Sequence, residues 1–337
     1  MDDQPSAEAI RLFHGFRGFQ LVVAACRLEL PDLVAAGHSD ADELAALTDT
    51  HPGALRRVLR GLVTWGFFTQ DAGGRYAATP VSDTFRSDRS GLRNMTLMIS
   101  EEGYRVWGDL VYTLKTGEPA FEHVYGVSRW QQMANDPEAA ALFNAGMIET
   151  TTRVARDFIA HYDFTGIQTV VDVAGGNGAL LSAILEAHPA MHGILFDVPA
   201  GLRGAGERMK AAGLEGRVTL VEGSFFDSVP PAGDLYLLKS IVHDWDDDRA
   251  AAILATCRKA MSPSARLVLI ERHLPDETQS LADALAPVMS DLHMMVALGG
   301  RERTTAEYAA LLLGAGLLMA RQVPMDSDFY GIEAVPD

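Results

Sequence analysis

Residues 170–178 read Val-Val-Asp-Val-Ala-Gly-Gly-Asn-Gly, and a second apolar run, Gly193-Ile-Leu-Phe-Asp197, closes on an acidic residue. An apolar strand that runs into glycines and then a helix, with a carboxylate at the end of the next strand, is the pattern of a site for an adenosyl cofactor. Glycine lets the backbone approach a ligand with no Cβ in the way. Asp197 can accept both ribose hydroxyls. The dinucleotide fingerprint Gly-x-Gly-x-x-Gly/Ala fails, because Leu181 stands in the third slot after Gly176 and Gly178. S-adenosylmethionine carries no pyrophosphate and needs no third glycine, and Asp172 at the strand end suits the ammonium of its methionyl group. His243 follows the apolar run Leu235–Leu238 and precedes the acidic helix start Asp246-Asp-Asp-Arg249. It therefore stands at the carboxyl edge of a sheet, where open α/β sheets bind ligands. A neutral imidazole there can take a proton from a hydroxyl, a contribution of typically ~10²–10⁴-fold.

The elements that must position these groups follow from periodicity and punctuation. Strands are expected at Thr169–Val173, Gly193–Phe196, Val218–Val221, Leu235–Leu238, Leu267–Glu271 and Leu317–Val323, with helices between them at Ala179–Ala187, Asp247–Met261 and Thr305–Gly314. Such alternation implies parallel strands joined by right-handed crossovers. Met319–Val323 and Tyr330–Ala334 flank the polar turn Met325-Asp-Ser-Asp328, so the chain is expected to end in an antiparallel hairpin, which an ordinary dinucleotide-binding sheet lacks. Ahead of this region the pattern is helix, turn, helix and wing. Ser6–Arg27 has helical spacing. Asp40 caps an acidic first turn, Pro52 stands at a helix start, and a short hairpin turns through Asp71-Ala-Gly-Gly74. The expected organisation is a winged-helix-like domain over 1–98, a mostly helical region over 99–166, and an α/β domain over 167–337.

The chain has 337 residues, 48% hydrophobic and 22% charged, with 28 basic and 45 acidic residues for a net charge of −17. That balance disfavours phosphate backbones and anionic membranes as partners. The two cysteines lie far apart in apolar helical patterns and suggest a reducing compartment. The start shows no basic n-region and no apolar run reaches the roughly 18 residues of a membrane span. A cytoplasmic protein is expected.

Val221-Glu-Gly-Ser-Phe-Phe226, the stretch Asp234-Leu-Tyr-Leu-Leu-Lys-Ser-Ile-Val-His-Asp-Trp-Asp-Asp-Asp248, and Gly299-Gly-Arg-Glu-Arg-Thr304 together resemble the small-molecule O-methyltransferases, which include plant caffeate-type enzymes and bacterial enzymes that methylate polyketide antibiotics. The resemblance covers nearly the whole chain, and His-Asp-Trp with a downstream Gly-Gly-x-Glu-Arg-Thr is specific to that group. It implies a Rossmann-like seven-stranded α/β sheet with the antiparallel terminal hairpin, a winged-helix front that serves dimerisation, and S-adenosylmethionine as cofactor. By that resemblance Asp172, Ala174, Gly175, Gly176 and Gly178 hold the methionine part and Asp197 the ribose. Ser224 and Phe225 border the adenine, Lys239 and Ser240 flank the cofactor, and Trp245 lies over it. Two departures stand out. The family usually has Gly where Ala174 stands, and Ala is tolerable there if it keeps a negative φ. It usually has Asp where Ser224 stands, so the adenine amino group is expected to meet an uncharged and weaker acceptor.

The resemblance also makes Glu271, at a strand end, and Glu302, in the Gly-Gly-Arg-Glu-Arg-Thr loop, the carboxylates that orient His243; Glu302 reads equally as a partner of Arg301 or Arg303. A phenol, with a pKa of about 10, is the expected acceptor, and no metal is required for its deprotonation. The helical middle is expected to supply an aromatic-binding pocket, with Trp107, Phe143, Asn144, Met147, Asp244 and Met294 as candidates. Phe143 and Met147, at i and i+4, read equally as core. Arg153 is a candidate for the cofactor carboxylate or a surface residue. Two other readings stay open. The scaffold serves other chemistry (hydroxylation, decarboxylation, pericyclic steps, carbon or nitrogen methylation), or the chain is a winged-helix regulator using Arg56, Arg57 and Arg60. Against the regulator, residues 40–90 carry seven acidic and six basic residues, a net of −1.

Overall fold

The computed structural model describes residues 6–89, 91–275 and 284–337. The chain divides into two compact units, Met1–Tyr104 with Ala141–Thr150, and Arg105–Ala140 with Thr151–Asp337. The helical stretch over 99–166 is thus shared between the units, and the 25-residue helix Pro137–His161 contributes to each.

In the first unit, helix Ala7–Arg27 starts on Ser6, whose hydroxyl accepts from the Ala9 amide, and helix Ala41–Leu47 starts on Asp40, whose carboxylate accepts from the Asp42 and Glu43 amides. Helix Pro52–Thr64 begins with its proline at the first turn. Strands β1 (Phe68–Gln70) and β2 (Tyr76–Ala78) pair antiparallel as the wing. Leu30, Leu44, Leu55, Leu59, Leu62, Phe67 and Phe68 form the buried core. Arg56 pairs with Asp42 on the surface. Helix Ala7–Arg27 leaves a row of apolar side chains uncovered: Ile10, Leu12, Phe13 and Phe16, with Leu12 84% exposed.

The second unit is built on a seven-stranded sheet. Its strands are β3 (Thr169–Val173), β4 (His192–Asp197), β5 (Val218–Glu222), β6 (Leu235–Lys239), β7 (Arg266–Arg272), β8 (Leu317–Pro324) and β9 (Phe329–Pro336), in the spatial order β5-β4-β3-β6-β7-β9-β8. The first five are parallel, and β9 inserts antiparallel between β7 and β8, pairing Leu269 with Ile332. Side chains alternate between two cores. Leu235 and Leu237 face one cluster, with Val170 and Ile184, while Tyr236 and Leu238 face the other, with Val171 and Ile253. Full burial of such a side chain stabilises by roughly 1.5–3 kcal/mol. Strand order reverses between β3 and β6, so the loops after their carboxyl ends diverge and leave a crevice. Asp172 and His243 stand at those two ends.

Candidate active site

The loop after β3 makes the first half of the site. Asp172 is buried, and its Oδ2 has no hydrogen-bond partner among the described residues. Burial, reinforced by the negative charge of Asp197, pushes its carboxyl up to about 7. A Cβ on Gly175 would fall 2.5 Å from that carboxyl group, so a larger residue would close the space in front of it. Gly176 and Gly178 take positive φ of 57° and 79°, the left-handed region open to glycine. The Gly176 and Val198 amides donate to the two oxygens of Asp197 at 2.8 and 2.7 Å, aiming its carboxylate. Ala174 corrects an expectation. Its φ is +56°, not negative. A Cβ crowds the backbone there at a cost of roughly 1–2 kcal/mol. The turn is held regardless, because the Ala174 amide donates to Phe196 O at 2.7 Å.

The orphaned Asp172 oxygen, the glycine cradle and the aimed Asp197 carboxylate fit S-adenosylmethionine, with its cationic methionyl end and its ribose. Ser224 has its Oγ accepting from the Phe226 amide at 3.2 Å, so this hydroxyl also closes a local turn. Phe225 and Phe226 set their edges against Trp245, with centroids 6.0 and 5.0 Å away. Lys239 ends β6 with its ammonium held down to about 8 by burial and by Arg272. Ser240 has φ of +55° and donates its amide to Ile270 O at 3.0 Å. Arg153 is half exposed and reaches Asp328 at 3.7 Å, a carboxylate that also takes Arg272 at 2.7 Å.

The loop after β6 makes the second half. His243 lies in the short 3-10 turn Val242–Asp244 and is 6% exposed. Its Nδ1 is 2.8 Å from Glu302 Oε1 and 3.6 Å from Glu271 Oε2, and its Nε2 is 3.4 Å from Asp244 Oδ1. Burial opposes the charged ring, but Glu302, Glu271 and Asp244 together hold it up to about 10. Glu302 is kept below the usual carboxylate range despite its burial, by His243 and by Ser290, whose Oγ donates at 2.6 Å. An ionised carboxylate only accepts, so Nδ1 carries a proton and Nε2 is the basic nitrogen of the neutral ring. Burial pushes Glu271 up to about 7, and its Oε1 accepts from the Ile241 and Val242 amides at 3.0 and 2.9 Å. The resulting bonds tie Glu302 to His243 and not to Arg301 or Arg303, which reach Glu307 and Asp247 instead. Atoms of His243, Glu271 and Glu302 lie within 4.8 Å of one another, a spacing that could also hold a metal ion.

Other groups support this loop that sequence reasoning did not assign. Arg303, 1% exposed, donates to Val242 O at 3.1 Å and to Trp245 O at 2.9 Å, clasping the turn that carries His243. Its one sequence signal was its place beside Glu302. Gly300 is required because a Cβ there would sit 2.1 Å from His243 O. Arg129, 5% exposed, brings positive charge to Asp244 and His293 from helix Arg129–Asn135, with no signal in its surroundings.

The acceptor candidates divide. Trp107, Asp244 and Met294 belong to the second unit; Trp107 Nε1 donates to His293 Nδ1 at 3.1 Å, and Met294 is buried. Phe143, Asn144 and Met147 fall in Ala141–Thr150 of the first unit. A cavity of about 790 Å³ is lined by Arg129, Trp130, Gln131, Phe226, Trp245 and Arg249 among others. Trp130 and Trp245 lie nearly parallel, 17° apart with centroids 6.3 Å away.

The chain matches the model of the O-methyltransferase domain over residues 107–318 and that of the O-methyltransferase dimerisation domain over residues 10–88. It is 37% identical over 332 residues to the phenazine O-methyltransferase of Lysobacter antibioticus, covering 98% of this chain and 96% of that one. It is 38% identical to the O-demethylpuromycin O-methyltransferase of Streptomyces alboniger, covering 97% and 88%. A solved O-methyltransferase from neocarzinostatin biosynthesis, in complex with S-adenosylmethionine and 2-hydroxy-5-methyl naphthoic acid, superposes with a TM-score of 0.81 at 34% identity, covering 95% and 96%.

Proposed function

Given that this chain belongs to the S-adenosylmethionine-dependent O-methyltransferase family, we propose that it methylates a phenolic hydroxyl of an aromatic natural product, with His243 as the general base. The observation that carries this reading is the buried His243–Glu302 contact at 2.8 Å, which leaves Nε2 as the basic atom at the sheet edge. A relative named as a phenazine O-methyltransferase and a solved neighbour in complex with a hydroxynaphthoic acid support an aromatic acceptor.

When bound, S-adenosylmethionine supplies an electrophilic methyl group on a positively charged sulfur. Asp172 would hold its ammonium, Asp197 its ribose, and Ser224 and Phe225 its adenine, with Ala174, Gly175, Gly176 and Gly178 as the backbone cradle. Lys239, Ser240 and Trp245 would flank it; Arg153 would reach its carboxylate if released from Asp328. His243 takes the phenol proton on Nε2. Glu302, Glu271 and Asp244 hold the ring above the usual histidine range, which favours the protonated ring that this transfer leaves behind. Glu302 keeps the proton on Nδ1, and Glu271 holds the turn through two backbone amides while adding negative charge. No metal enters this proton transfer. Trp107, Asp244 and Met294, all of the second unit, would border the acceptor. The exposed apolar row on helix Ala7–Arg27, inside the matched dimerisation domain, supports a homodimer.

The test is release of S-adenosylhomocysteine from a panel of phenols, hydroxynaphthoates and hydroxyphenazines. His243→Ala is expected to lower kcat by ~10²–10⁴-fold and leave S-adenosylhomocysteine binding within about twofold. The loss in His243→Ala should shrink as pH rises above 7, because the phenol, with a pKa of about 10, increasingly ionises without a base. No product with any acceptor, or wild-type turnover in His243→Ala, refutes the reading.

A further inference from the structure

Helix Leu285–Ala297 places Ser290 against Glu302, and Asp291 Oδ1 accepts from the Glu302 amide at 3.0 Å. Three residues after Ser290, on the same face of the helix, stands His293. No motif marks it, and nothing in the proton relay uses it. Its Nδ1 takes the indole N–H of Trp107 at 3.1 Å, with the two ring planes 4° apart and centroids 6.5 Å away, an edge-to-edge bond in a common plane. An indole nitrogen only donates. Nδ1 of His293 is therefore an acceptor, and the proton of the neutral ring must sit on Nε2. Burial, with the positive charges of Arg129 and His243 nearby, holds the ring down to about 3, so it stays neutral through the physiological range. Among the described residues no other hydrogen bond engages this ring. The result is a fixed donor, aimed by Trp107, on the helix face that borders the reacting centre.

We propose that His293 is a specificity-determining residue of the acceptor pocket, whose Nε2–H donates to a second oxygen on the acceptor ring system, a carboxylate or quinone-type carbonyl beside the hydroxyl to be methylated. This inference rests on the O-methyltransferase reading above. The positive charge of Arg129 on the same ring favours an oxygen that carries negative charge. A plain phenol leaves that donor unanswered, and a hydrogen bond to a charged group is the stronger kind.

The matched probes are 1-hydroxy-2-naphthoate and 1-naphthol, which differ by the carboxylate. With protein loaded with S-adenosylhomocysteine, calorimetry should show the naphthoate binding about tenfold tighter or more, and kcat/KM should show the same preference. His293→Phe should bring both ratios to within about twofold, with S-adenosylhomocysteine affinity unchanged as proof of fold. His293→Gln, which keeps an N–H donor, should restore part of the preference, and Trp107→Phe, which frees the tautomer, should lower it. A wild-type ratio retained in His293→Phe overturns the proposal. Equal methylation of both probes by the wild type also overturns it, while the O-methyltransferase reading stands. No S-adenosylhomocysteine from any phenol sinks both.

Discussion

Asp172 is the proposed partner of the cofactor's ammonium. Its buried, half-satisfied carboxyl is pushed up to about 7 by burial and by Asp197, so near neutrality it carries a proton for part of the time. A cationic ligand needs the ionised form and must displace that proton. The sign is clear: below about 7 the acid form competes, and above it the competition is gone. S-adenosylhomocysteine, which keeps the methionyl ammonium, should bind more tightly as pH rises from 5.5 to 8, by up to tenfold per unit below about 7. Asp172→Asn should bind weakly with a flatter profile. A wild-type affinity that does not change over this range, measured by calorimetry, would place the ammonium elsewhere. The Ala174 finding belongs to the same scale. An alanine, expected to keep a negative φ, adopts +56°, because the loop's amide contacts with Phe196 O outweigh the local steric cost.

Among the elements, the turn Val242–Asp244 carries His243, the proposed base, and it has few bonds of its own. It is held from outside, by Glu271 through two amides, by Arg301 N donating to His243 O at 2.8 Å, and by the Arg303 guanidinium across Val242 O and Trp245 O. Arg303→Met keeps much of the volume but removes every donor. Leaving Trp245 O without its donor, and Val242 O with the Trp245 amide alone, should cost about 1–3 kcal/mol in urea unfolding. Turnover should fall about tenfold or more, while S-adenosylhomocysteine affinity falls less, because the loop after β3 is untouched. Unchanged kcat in a folded variant would show that the turn holds its shape without the clasp.

At the scale of the whole molecule, both cysteines are free and buried, and burial pushes the Cys26 and Cys257 thiols up to about 11 and 12, so neither is poised to react. Among the described residues no helix is long and apolar enough to cross a membrane. A row of uncovered apolar side chains lies on the first helix, where Leu12, Phe13 and Phe16 are 84%, 67% and 52% exposed. A monomer rarely leaves such a row to solvent. Phe13→Asp with Phe16→Asp should convert a dimer to monomers in sedimentation experiments, without lowering the melting temperature of the second unit. A dimer that survives both charges would move the interface elsewhere.

What the sequence alone determined was everything carried by period and punctuation. β3 and the helices Ala179–Ala187 and Thr305–Gly314 lie where alternation, glycines and caps put them, and the terminal hairpin turns at Met325–Asp328. The strand-end acids and the His-Asp-Trp stretch were legible because a short spacing ties them to one sheet edge. Tertiary structure decided what depends on distant partners. That Glu302 meets His243 across 59 residues, that Arg303 clasps the loop, that Ala174 turns left-handed, and that Trp107 sets the tautomer of His293 are properties of contact, and no local pattern encodes a contact between segments far apart in the chain.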